Sequence, residues 1–242
     1  MQRLLINCLV TLIFLTTVLL CLHNNSTIHN NSNNPFSPPF ANRGEIYSQW
    51  LKTSVQVIGR GFLGSGTICY YDGNEAYVLS CAHIFVKSTD YAYVGVYYKN
   101  DKKLAIPSSY QAEVVCCDLG YDISVVKFHP DWKIDFVTHI ASEDYKLRLG
   151  DYCYSTGCDC GSETALYVMR VVEVADDFTI MIENGPRYGR SGGGLLSRDN
   201  YLIGIAVMST EPNEGLGCGL FVPLSKIHSY LRAQKLDFLL NY

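Results

Sequence analysis

From Ser54 to Leu224 the chain is a succession of short runs rich in Val, Ile and Tyr, cut by turn signals. SVQVIG, GTICYY, AYVLSC, YAYVGVYY, AEVVCC and DISVVKF form one group. DYCYSTG, ALYVMRVVEV, FTIMIE, YLIGIAV and CGLFVPL form another. Such residues suit a pleated, half-buried surface. Asp72-Gly73, between two runs, is a tight hairpin signal. Short strands at regular spacing, with little helical periodicity, predict an all-β sandwich or barrel. Two groups split near 130–147 predict two barrels, at about 46–130 and 147–222. Leu224, Ile227, His228 and Leu231 recur at helical intervals. A C-terminal helix on the second barrel follows, with 233–242 as a tail.

The amino-terminal part is different. Residues 4–22 carry no charge, and Arg3 stands on their N-terminal flank. Such a run reads as an apolar helix serving as a signal anchor or signal peptide. It places the remainder outside the cytoplasm, membrane-anchored if uncleaved and secreted otherwise. Residues 23–45, dominated by Asn, Ser and Pro, read as a disordered linker. Asn24, Asn25 and Asn30 begin N-x-S/T patterns that matter only in a glycosylating lumen. The net charge is -4 with signs mixed, so nucleic acid is not an expected partner.

The glycine-rich stretch GRSGGGLL surrounds Ser191 with glycines at 189, 192, 193 and 194. A hydroxyl becomes a nucleophile only beside a base, itself held by a third group. Gly189 permits a sharp turn aiming the N–H groups of Gly189 and Ser191 into one space. An oxyanion there would be stabilised, and loss of one such donor costs ~3 kcal/mol. Of the six histidines, His23 and His29 lie in the linker. His129, His139 and His228 sit beside charged or loop residues and are expected to be solvated. His83 differs, because it follows an apolar strand in AYVLSCAHIF, with Ala82 before it and Ile84 after. Asp122 opens the apolar run ISVVKF, where a carboxylate is costly unless it meets a partner. A histidine ring would satisfy it and have its tautomer fixed in return. Asp118 is the alternative acid, expected instead to shape the preceding turn. His, Asp and Ser in this order make a candidate triad.

Several motifs carry a family likeness. GSGTI (64–68), VLSCAHI (78–84), AEVVCCDLGYDISVVKF (112–128), LRLGDYCYSTG (147–157), GRSGGGLL (189–196) and GLGCGLFVPLSKI (215–227) stand in family order. Across about 46–232 the chain resembles the chymotrypsin-fold (trypsin-like) serine proteases, and among them the exported Htr/Deg-type protease domain. The resemblance implies two six-stranded antiparallel β-barrels with the site in the cleft between them. It implies His83 as general base and acid, Asp122 as its orienter and Ser191 as nucleophile. The oxyanion hole would be lined by N–H groups of Gly189 and Ser191, with Arg190 N–H facing the same loop. The implied activity is serine endopeptidase on polypeptide substrates. Two departures stand out. Gly194 replaces the usual proline and is expected to loosen the loop. Cys81 stands where threonine or alanine is commoner. No Ile-Val activation site is visible, and no PDZ-type module is expected after Tyr242.

Counting back from Ser191 puts the primary pocket floor at Gly185, with Leu220 on its wall. A small or aliphatic residue before the scissile bond follows. Val207, Met208 and Ser209 would form the edge that pairs with substrate backbone. Ten cysteines invite a further question. Cys8 and Cys21 lie in the apolar segment. Disulfides or buried thiols are expected for the rest, since an exported chain permits the former. No cofactor is expected. Were zinc present, Cys158 and Cys160 are candidate ligands, with Cys153, or Cys116 and Cys117, to complete the set of four. The loop resembles the zinc-holding Cys-x-Cys-Gly loop of some small viral proteases of this fold. The remaining positions of that pattern hold Ser197 and Tyr201, which do not match. The alternatives to a protease are a catalytically silent double-barrel binding module and a Cys-rich zinc-stabilised variant.

Overall fold

The computed structural model describes residues 43–175, 179–183, 185–211 and 216–240. The apolar segment 4–22, and with it the expected N-terminal helix, lies outside the described residues, as does the linker up to residue 42. Among the described residues no helix is long and apolar enough to cross a membrane.

The alternation of apolar and polar residues becomes two closed antiparallel barrels. Strands β1 (Ser54–Gly59), β2 (Phe62–Tyr71), β3 (Ala76–Ser80), β4 (Ala92–Lys99), β5 (Lys102–Asp118) and β6 (Ile123–Phe128) close in the order β1-β2-β3-β6-β5-β4. Strands β7 (Tyr152–Cys158), β8 (Thr164–Ala175), β9 (Thr179–Glu183), β10 (Gly194–Leu196), β11 (Leu202–Glu211) and β12 (Leu216–Pro223) close as β10-β11-β12-β9-β8-β7. The mixed segment between them crosses from one barrel to the other. Its one bridge pairs Ile140 with Leu202.

β3 and β6 are apolar on both faces, and burial explains it. Val78, Val126 and Phe128 join the first barrel's core with Val55, Val57 and Val94. Leu79, Ile123 and Val125 belong instead to the cluster that runs through the second barrel, with Ile182, Leu195 and Ile205. Each such side chain contributes about 1.5–3 kcal/mol on burial. A strand packed on two sides cannot shift register without moving apolar groups into water. The two strands that carry the candidate base and acid are therefore firmly held.

Among the described residues two α-helices flank the barrels. α1 (Arg43–Thr53) enters where the sequence suggested linker up to residue 45. Its Trp50 is buried against Tyr154, with ring centroids 4.3 Å apart. An isolated helix this short is marginal in water, so packing sustains it. α2 (Leu224–Ala233) is the expected C-terminal helix, burying Leu224, Ile227, Tyr230 and Leu231. His228 is buried on the same face rather than solvated; its Nε2 lies 2.8 Å from the Ala141 carbonyl, to which it donates. The tail is packed too. Leu236 and Leu239 are buried, and Phe238 stacks edge-on against Tyr70 and Tyr77 at 5.0 and 5.3 Å.

Candidate functional site

β3 and β6 pair with Ser80 opposite Ser124. Continuing that register by two residues brings Ala82 opposite Asp122. The chain then turns into a short 3-10 helix, His83–Phe85, which starts on the histidine. Asp122 adopts φ 53°, a left-handed conformation that Asp and Asn tolerate better than most residues. Its Oδ1 accepts the backbone N–H of Ala82 at 3.0 Å and of His83 at 2.9 Å. Its Oδ2 lies 2.9 Å from His83 Nδ1. The carboxylate is thus pinned by the backbone it orients, and Nδ1 is the protonated nitrogen. Ser124 Oγ ties the two strand ends by donating to the Cys81 carbonyl at 2.9 Å. Asp118 shapes the preceding turn as expected, accepting from the N–H groups of Gly120 and Tyr121.

The other ring nitrogen, His83 Nε2, is 3.5 Å from Cys81 Sγ. Burial disfavours the charged ring, but the Cys81 sulfur and the Asp122 carboxylate outweigh it, holding its pKa well above the ordinary 6.5. Burial likewise pushes the Cys81 thiol up, against the lowering influence of His83.

Ser191 lies in the loop between β9 and β10. Its Oγ donates to the Val207 carbonyl at 3.2 Å. The glycines around it are dictated by close approach. A Cβ on Gly192 would overlap the Ser65 carbonyl and Ser80 Oγ; one on Gly193 would overlap the Thr156 carbonyl. Gly189 has φ +84° and presses on the Cys158–Gly161 turn. Among the described residues, neither the Gly189 nor the Ser191 N–H is donated to another backbone carbonyl. Arg190 N–H is different. It donates to the Arg187 carbonyl at 3.1 Å, so this turn bond removes it from the expected oxyanion hole.

The Arg190 side chain does what the sequence did not reveal. It is fully buried, with Nε 2.8 Å from Asp159 Oδ1 and Nη1 2.8 Å from the Ser155 carbonyl. Its guanidinium lies 4.1 Å from the centre of the Tyr167 ring, and Tyr167 Oη donates to Asp159 Oδ2 at 2.6 Å. This ion pair fastens the nucleophile loop to the β7–β8 hairpin. Ser65 fastens it to the first barrel: its N–H donates to the Ser191 carbonyl and its Oγ to the Gly189 carbonyl, both at 2.7 Å. Only the small-residue pattern GSGTI hinted at such an approach.

Gly194 reverses an expectation. It lies buried in β10 opposite Ile205, and a Cβ would meet Thr67 Oγ1 at 2.6 Å and Leu202 Cδ1 at 2.9 Å. The residue tightens packing there and does not loosen the loop. Gly185 is buried beside Ser209, its N–H donating to the Gly217 carbonyl at 3.2 Å. Gly219 is the β12 residue directed at Gly185 and Pro186. Side chains alternate along a strand, so Leu220 points to the opposite face, away from this floor. Val207 and Ser209 are half-buried and Met208 exposed along β11.

The cysteines from Cys69 to Cys218 form no disulfide, which leaves the thiol alternative of the two expected. Most serve as small core side chains. Cys153 and Cys158 are buried, and desolvation pushes each thiol up to about 12. Cys160 is exposed. Among the described residues the ligand atoms of these three do not cluster, whereas those of Cys81, His83 and Asp122 lie within 4.8 Å of one another.

Two closed six-stranded antiparallel barrels, with a carboxylate-held histidine beside the first and a glycine-packed serine loop on the second, define a protein of the double-barrel fold class. Residues 64–205 match the trypsin-like peptidase domain, and the chain belongs to that family. It is 28% identical over 179 residues to the Arabidopsis thaliana protein designated protease Do-like 14, covering 68% of this chain and 39% of that one. The chain thus spans well under half the length of that relative. In fold it is similar to the MamO protease domain of Magnetospirillum magneticum, at TM-score 0.59 and 22% identity over 76% of this chain and 98% of that one. It is also similar to the serine endoprotease of Yersinia pestis, at TM-score 0.59 and 20% identity, covering 84% and 68%.

Proposed function

We propose that the chain is a serine endopeptidase acting through an acyl-enzyme. The observation that carries this is the His83–Asp122 pair: Nδ1 is 2.9 Å from a carboxylate oxygen, and the carboxylate is clamped by two backbone N–H groups. Such clamping leaves Nε2 as the lone pair that accepts a proton. Ser191 Oγ swings from the Val207 carbonyl toward Nε2 when substrate arrives; catalytic hydrogen bonds are often loose before binding. Oγ attacks the peptide carbonyl carbon as its proton passes to Nε2. The N–H groups of Gly189 and Ser191 receive the resulting oxyanion. His83 returns the proton to the leaving amine, and water repeats the sequence to release the acid. The edge of β11 at Val207, Met208 and Ser209 pairs with substrate backbone. The crowding of Gly185 by Ser209 and the Cys218 backbone favours a small or aliphatic residue before the scissile bond. Residues 4–22 carry the enzyme out of the cytoplasm as an anchor or a cleaved signal.

The test is covalent labelling by a fluorophosphonate. Wild type labels and Ser191→Ala does not. A wild type that resists labelling would instead mark a silent binding module. Cleavage-site mapping with the full chain tests the pocket, and preference for Arg or Lys before the cut bond would overturn that part.

A further inference from the structure

Cys81 is a nucleophilic side chain that the proposed mechanism leaves unused, and the fold sets it against the general base. Its Sγ is 3.5 Å from His83 Nε2. A tetrahedral zinc with Zn–S near 2.3 Å and Zn–N near 2.0 Å separates those two ligand atoms by about 3.5 Å. The distance is thus one at which a single ion could touch both. The opposite ring nitrogen already makes the contact that a metal-bound histidine needs. Nδ1 donates to Asp122 at 2.9 Å, and a carboxylate in this role fixes the tautomer and raises ligand basicity. The ligand atoms of Cys81, His83 and Asp122 lie within 4.8 Å of one another. Asp122 supports and does not coordinate, because the two ring nitrogens point in divergent directions and Nδ1 is taken. Its negative charge, with that of a thiolate, balances a divalent cation. The His83 side chain is 22% exposed and Cys81 is fully buried, so an ion approaches from the imidazole side.

We propose that Cys81 and His83 form an inhibitory site for a thiophilic divalent cation such as Zn2+, bound through Sγ and Nε2 with water in the remaining positions. This deepens the reading above, because it rests on His83 being the base. Binding is balanced without any oxidant. The thiol releases its proton to solvent as the S–Zn bond forms. The Nε2 lone pair goes to the metal, so Ser191 has no proton acceptor and acylation stops. Chelation restores the thiol and the base together.

Two measurements on the full chain decide it, with Cys81→Ala and the near-isosteric Cys81→Ser compared with wild type after circular dichroism has verified their folds. In the first, zinc chloride slows fluorophosphonate labelling of wild type, and EDTA reverses the effect. Removing the sulfur raises the half-inhibiting zinc concentration about tenfold or more. Equal zinc sensitivity in wild type and both variants, or no sensitivity in wild type, overturns the proposal. In the second, cobalt chloride replaces zinc, and the wild-type-minus-variant spectrum is read for a thiolate-to-cobalt charge-transfer band. Its presence supports the site; its absence overturns it. The cobalt spectrum does not depend on catalysis. A chain that fails to label but keeps the band therefore loses the protease reading and keeps the metal site.

Discussion

The two barrels supply the candidate site by different means. The first offers side chains from the ends of two strands buried on both faces, and its polar contacts run from side chain to the backbone of the paired strand's end. Asp122 holds Ala82 and His83 in this way. The second offers a loop, and the loop is held by groups outside its own strands' pairing: Ser65 from the other barrel, and Asp159 through a buried arginine. Strand register does the positioning in one case, close packing and an ion pair in the other. Substitutions in the first should change chemistry while sparing the fold. Substitutions in the second should cost stability before, or along with, activity.

Asp122→Asn is the sharpest test of the first half. Asparagine tolerates the left-handed backbone and can still accept the two N–H groups. Its amide would then face His83 Nδ1 and force the wrong tautomer. A loss of about 10⁴ in turnover is expected, with little change in melting temperature. Peptide hydrolysis and thermal denaturation measure the two; a large loss of stability would break the contrast.

Arg190→Met tests the second half. It leaves the Asp159 carboxylate, with only 16% side-chain exposure, beside an apolar group. Removing one partner of a buried pair costs about 3–5 kcal/mol. Combining it with Asp159→Asn should recover part of that cost, and denaturant titration of the single and double variants measures it. An additive double variant would show that the pair does not couple.

Gly194→Ala is a milder probe, since it forces a methyl group against Thr67 and Leu202. Overpacking of this kind costs about 1–3 kcal/mol. Unchanged stability would revive the idea of a slack loop.

The pH profile bears on the first barrel again. Protonated His83 cannot accept the nucleophile's proton, and its pKa is raised. Labelling should therefore increase with pH through a midpoint above 6.5. A midpoint below 6.5 would mean that burial outweighs the Asp122 and Cys81 contacts.

Much of this architecture was legible from the chain. The strands in YAYVGVYY and DISVVKF are visible because alternation and turn residues are local signals. The α1 helix was not, since its stability comes from Trp50 stacking on Tyr154, more than a hundred residues away. His228 followed the same logic: its helical face was evident, but the carbonyl that makes its burial tolerable belongs to Ala141. Within the site, His83, Asp122 and Ser191 could be nominated by residue type and order. The backbone donors that clamp Asp122 could not.

What the order of amino acids determined alone was periodicity: which stretches are strands, how many there are, and which reactive side chains stand at their ends. Burial on one face writes that information into neighbouring residues. Tertiary structure decided the partners. The destination of the Arg190 guanidinium, the need for a bare Gly194 and the clamping of Asp122 by the Ala82 and His83 backbone all depend on where strands distant in sequence come to lie. Contacts of that kind are set by sheet register and barrel closure, which no local pattern encodes.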